Sequence, residues 1–139
     1  MTRQSFKRLI ILQWLLGLIS LVVYFATIDY LPQPVKDYFE EIKNAEPTIA
    51  DWLILVVGSL LFLAYIVIYV GLYRFRKWAK KLLLPIHIVV LITLPFIGIS
   101  VATGWVNAIS YLSCLINGGI LFLVYLPPIS QMFETNGNN

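Results

Sequence analysis

The chain has 139 residues, of which 60% are hydrophobic and 12% charged, with a formal net charge of +3. A soluble domain carries about twice that share of charged residues. Folds of this size are also dominated by their surface, so a soluble enzyme is excluded, as is a disordered chain, which needs low hydrophobicity.

In chain order, a basic tail with Arg3, Lys7 and Arg8 leads into a first apolar run at 9–28. A bilayer-spanning helix needs about 20 mainly apolar residues, and this run has that length. It exceeds the apolar core of a secretory signal, and no Ala-x-Ala pattern follows it, so it reads as a retained helix. Residues 29–51 form the longest connection. Pro34 can open a helix in its first turn, after which Val35, Tyr38, Phe39 and Ile42 recur at i, i+3, i+4 and i+7. Lys36, Asp37, Glu40, Glu41 and Lys43 occupy the opposite face, which predicts a short amphipathic helix lying on a membrane surface or against the bundle. Thr48 and Asp51 then have the spacing of a capping box.

The second span covers 52–73, and the basic loop RFRKWAKK follows at 74–81. The third span, 82–102, holds Pro85, Pro95 and Gly98. Pro95 is expected to kink it near mid-membrane, because proline removes one backbone bond. Thr103 and Gly104 set a tight turn into the fourth span, 105–126, which Pro127 and Pro128 stop. The remainder, 129–139, reads as a disordered tail. No Asp, Glu, Lys or Arg lies in any of the four runs. The runs are apolar all round, whereas a soluble bundle shows a polar face on each helix. They are also too long for strands and lack period-2 alternation. The predicted fold is a single all-α domain, an integral membrane four-helix bundle with a short extracytoplasmic amphipathic helix.

Lysine and arginine set the expected orientation. The N-terminal tail and the 74–81 loop hold eight of the ten basic residues, while 29–51 holds Lys36 and Lys43 against six acids. That partition predicts both termini in the cytoplasm of a cell with an inner membrane. It also turns the net positive charge into a statement about orientation, and rejects nucleic acid as a partner.

Three groups of residues are candidates for chemistry. His87 is an ionisable group inside a span, and such groups are functional-site candidates by default. Gln13 and Tyr69 stand at a similar depth, so the three are expected to converge as a polar cluster at the basic end. The plainer alternative is a histidine satisfied by one of these neighbours or by a backbone carbonyl. Asn107, Ser110, Cys114 and Asn117 recur at spacings of three, four and three on one side of the fourth span. Small and polar residues in that pattern serve helix–helix packing in lipid, or line a path in an oligomer. Arg74, Arg76, Lys77, Lys80 and Lys81 are expected to meet anionic lipid head groups or a cytoplasmic partner. No metal or cofactor is expected. Cys114 is the only cysteine, a lone histidine lacks further ligands, and no phosphate-binding, nucleophile-elbow or EF-hand pattern occurs. The small multidrug transporters match in length and span number, but they depend on a membrane-embedded glutamate that is missing here.

The segments GLYRFRKWAKKLLLP, VATGW, YLS and YLPP, all within 71–128, resemble those of small uncharacterised four-helix inner-membrane proteins of bacteria. That resemblance implies a four-span fold and carries no activity or site residue with it. The expected role is a non-enzymatic accessory or structural subunit acting through helix–helix contacts. A homo-oligomeric channel or small-solute transporter lined by the fourth span is the alternative, and a lipid- or quinone-linked membrane enzyme comes third.

Overall fold

The computed structural model describes residues 2–96 and 102–135, apart from the side chain of Thr135. All regular structure among these residues is helical. Helix α1, Arg3–Thr27, starts where Thr2 turns extended and its hydroxyl oxygen accepts from the Ser5 N–H at 3.2 Å. A 3-10 turn, Ile28–Tyr30, ends it. Helix α2, Gln33–Asn44, has Pro34 in its first turn. Its apolar side is only partly covered, with Val35 and Phe39 half-buried and Tyr38 and Ile42 exposed.

Helix α3, Ile49–Tyr73, opens with the expected capping box. The Thr48 N–H donates to the Asp51 carboxylate at 2.7 Å, and the Asp51 N–H donates back to the Thr48 hydroxyl at 3.3 Å. Each bond satisfies a backbone donor that the helix start leaves unpaired. At the other end the Arg76 N–H reaches the Gly71 carbonyl at 2.9 Å and the Phe75 N–H reaches that of Leu72 at 3.0 Å. These are the paired bonds of a Schellman ending, whose left-handed residue is usually glycine. Here it is Phe75, at φ 55°.

Helix α4, Lys77–Thr93, starts directly after this turn. The α3–α4 corner is tight at Gly71, where a Cβ would stand 2.6 Å from the Cβ of Ala79 and 2.7 Å from the Trp78 indole. Pro85 lies inside α4. Pro95 does not kink the helix as expected. The α-helix stops at Thr93 and Pro95 sits in a following 3-10 turn, Leu94–Phe96. Leu94 keeps α-region angles and still donates to the Val90 carbonyl, but Pro95 has no N–H to continue the ladder, so the α-helix ends before it. The end of the third span, expected to run to 102, falls partly on residues 97–101, outside those described. At the expected Thr103–Gly104 turn, Thr103 is extended and Gly104 opens α5, Gly104–Tyr125.

The expected disordered tail, 129–139, is instead helical through Thr135, and residues 136–139 lie outside those described. Residues Ile129–Thr135 form a short helix, α6, that folds back under the basic end of the bundle. Ile129 and Phe133 are fully buried there, and Lys80 reaches the Ser130 carbonyl at 3.4 Å and Glu134 at 3.7 Å. Apolar side chains at i and i+4 on one face give α6 a tertiary anchor that propensity alone does not supply.

Four helices are long and apolar enough to cross a membrane: α1 with its following turn, α3, α4 with its following turn, and α5. They associate as two pairs, α1 along α5 and α3 along α4. The pairs converge at the basic end. There Phe6, Phe75 and Phe133 form a ring cluster with centroid separations of 5.1–6.2 Å, and Leu72, Leu83 and Val124 are fully buried. Toward the acidic end the pairs part, and α3 is exposed along its whole first half, from Ile49 to Leu60. A hydrogen bond of 2.9 Å between the Thr27 and Thr103 hydroxyls closes the α1–α5 pair at that end.

Candidate functional site

Where the two pairs meet, three helices contribute to one hydrogen-bonded chain. Tyr65 and Tyr69 are one turn apart on α3, so both hydroxyls fall on the same side. The Tyr65 hydroxyl donates to that of Tyr69 at 2.9 Å, and Tyr69 donates to the side-chain carbonyl of Asn117 on α5. The Asn117 amide nitrogen lies 3.1 Å from His87 Nε2 on α4, and His87 Nδ1 lies 2.7 Å from the Leu83 carbonyl. A carbonyl only accepts, so Nδ1 carries a proton. Asn117 presents its oxygen to Tyr69, which leaves its NH₂ to donate to the Nε2 lone pair. Every bond in the chain then runs in one direction, from Tyr65 to the backbone of α4.

Aromatic rings support this arrangement. Tyr65 stacks on Tyr69 at 4.5 Å and stands 5.7 Å from the imidazole. Trp14 of α1 meets Tyr69 edge-on at 6.3 Å. Tyr69 is 1% exposed, while Tyr65, His87 and Asn117 are half-buried, so the chain closes at Tyr69 and is reachable at its ends. In lipid, helices gain no hydrophobic drive toward one another, and interhelical hydrogen bonds take a larger share of their association. The chain therefore bonds α3, α4 and α5 together and offers a line of polarised O–H and N–H groups between two helices.

The structure places the three residues expected to converge, Gln13, Tyr69 and His87, in two different settings. Tyr69 and His87 meet through Asn117, whereas Gln13 turns to the α1–α5 seam and donates to the Ser113 hydroxyl at 2.8 Å. Its carbonyl oxygen is buried there without a partner among the described residues. Depth along a helix follows from counting residues; rotation about its axis depends on the neighbours. Tyr65 and Ser113 were not singled out from sequence, although the Tyr65–Tyr69 spacing of four marks a shared face.

The polar residues of the fourth span also divide. Asn117 belongs to the chain, while Asn107, Ser110 and Cys114 are exposed. The buried side of α5 is the adjacent face, at Val106, Ile120 and Val124, where the half-buried Ser113 accepts from Gln13 of α1. Asn117 is at the edge of that face, and the other three continue away from it. Of the 74–81 cations, Lys80 is tied to α6, and Arg74, Arg76, Lys77 and Lys81 are exposed. Among the described residues no cluster of His, Cys, Asp or Glu has the geometry of a metal site. No family model, curated protein or solved structure matches the chain.

Proposed function

We propose that this protein is a multi-pass subunit of a bacterial inner membrane, with both termini cytoplasmic, that works without chemistry of its own by seating a partner's membrane span against α5. One observation carries this reading. The side of α5 with Asn107, Ser110, Cys114 and Gly118 has no occupant within the described residues. The first three side chains are exposed, and a Cβ at Gly118 would meet nothing within 4 Å. Small residues are used in lipid to let two backbones approach closely, and polar ones to hydrogen-bond across the contact. Here that surface is built and left open by the parting of the two helix pairs.

Purification in a mild detergent tests this directly. A stoichiometric partner should accompany the protein and be lost from Cys114→Leu/Gly118→Leu, while an α1 surface variant such as Leu18→Ala retains it. A protein that purifies alone, or a partner indifferent to the α5 variant, overturns the proposal. The Tyr65–Asn117–His87 chain supports a second reading, a path for a proton or small solute in an oligomer. Flux in proteoliposomes that disappears with Asn117→Leu would favour it over the accessory role.

A further inference from the structure

We infer that the cavity between the start of α1 and the end of α3 is a binding site for the phosphate of an anionic phospholipid. The cavity measures about 510 Å³ and is lined by Arg3, Gln4, Lys7, Arg8, Ile11 and Tyr73. Three of those six side chains are cations. None of the three forms an ion pair among the described residues, whose one salt bridge joins Lys80 to Glu134 at 3.7 Å. Six of the seven acids lie within 29–51, and the seventh is Glu134, so the cavity has no carboxylate to neutralise it.

The cations are nonetheless held in place. Lys7 Nζ stands 4.5 Å above the Tyr73 ring, and the Arg3 guanidinium stands 4.7 Å above that of Phe75. A ring face attracts a cation without consuming its hydrogen-bond donors, so both remain free to bind oxygen. Gln4 adds a neutral donor. The combination suits a phosphate oxyanion, which takes several donors and a net positive field.

The surroundings choose a lipid over a free anion. Ile11 is the apolar aliphatic side chain of the lining. Beyond it Leu15 and Leu18 continue the same line of α1, facing outward, while Val70 and Val67 are exposed on α3. An acyl chain hanging from a phosphate at Lys7 would run along these apolar walls. This site is separate from the α5 surface proposed for a partner, and either can stand without the other.

The test uses the full chain, delipidated in a neutral detergent, with thermal stability and native mass spectrometry as readouts. Phosphatidylglycerol should bind and stabilise, whereas phosphatidylcholine and inorganic phosphate should not. Each cation near a head group contributes about a fivefold gain in affinity, so Arg3→Gln/Lys7→Gln/Arg8→Gln should weaken binding by roughly a hundredfold. Arg74→Gln/Arg76→Gln/Lys77→Gln removes the same charge elsewhere and should leave binding within about threefold. Tyr73→Leu keeps every charge and should weaken binding several-fold, with Tyr73→Phe as the silent control. Equal losses from the two triple variants would reduce the site to bulk electrostatics and overturn the proposal. Stabilisation by inorganic phosphate alone would overturn its assignment to lipid.

Discussion

Phe75 is a bulky residue held at φ 55°, a conformation that costs a residue with a Cβ about 1–2 kcal/mol. Glycine would end α3 without that cost. What the phenyl ring returns is the centre of the basic-end cluster, 5.6 Å from Phe6 and 5.1 Å from Phe133. Truncating a buried Phe costs about 3–5 kcal/mol, so the packing wins. Phe75→Ala should therefore lose about that much stability, and Phe75→Gly about 1–2 kcal/mol less than Ala. Denaturation in lipid micelles measures both, and an alanine variant as stable as the glycine variant would show that the backbone is unstrained. In the polar chain, Asn117 is the only residue bonded on two sides to other helices. Asn117→Leu leaves the Tyr69 hydroxyl and His87 Nε2 facing an apolar side chain, at about 1–3 kcal/mol. Tyr65→Phe removes only the terminal donor and should cost less than about 1 kcal/mol. Equal effects from the two variants would contradict the direction assigned to the chain. His87, Tyr69 and Asn117 were legible as polar atoms in apolar runs. That Asn117 joins the other two was not, because hydrogen-bond partners depend on how each helix is turned about its axis.

At the scale of elements, the corner between α3 and α4 depends on Gly71. A methyl group there would stand 2.6 Å from the Ala79 Cβ, well inside van der Waals contact. Ala79 is itself fully buried, so it cannot swing aside. Gly71→Ala should destabilise by about 1–3 kcal/mol through overpacking. Adding Ala79→Gly should recover part of that loss, since the remaining neighbour is the far edge of the Trp78 ring. Additive losses in the double variant, measured by the same denaturation assay, would show that the two positions are not in contact. The capping box at Thr48 and Asp51 was readable in advance because it is a local pattern of fixed spacing. Residues 129–135 were not, since seven residues carry little helical propensity of their own and take their order from burial of Ile129 and Phe133 beneath α1 and α4. Hydropathy puts Pro95 inside one continuous apolar run, which predicts a bend there. The helix instead ends two residues earlier, a choice that hydropathy does not encode.

Across the whole molecule, charge and packing are polarised along the same axis. The buried rings and α6 lie at the end that carries Arg3, Lys7, Arg8 and the 74–81 cations, and the parted helix pairs lie at the end that carries the six acids. The long helices were legible because apolar length is a one-dimensional property. Their pairing was not, since helices that are apolar all round carry little record of which side meets which neighbour. Orientation depends on the basic residues far more than on the acids. The native count is eight Lys or Arg at one end against two at the other. Neutralising Arg74, Arg76, Lys77, Lys80 and Lys81 reduces the eight to three and leaves the two unchanged, nearly abolishing the bias while sparing every span. The native chain should therefore insert in one orientation and this variant in both. A cysteine placed at Asn44, in a Cys114→Ser background, reports the outcome through labelling by a membrane-impermeant maleimide. Complete labelling from outside in the native background and partial labelling in the neutralised one is the expected pair of results. Labelling that does not change would mean that the 74–81 cations do not determine which way the chain faces.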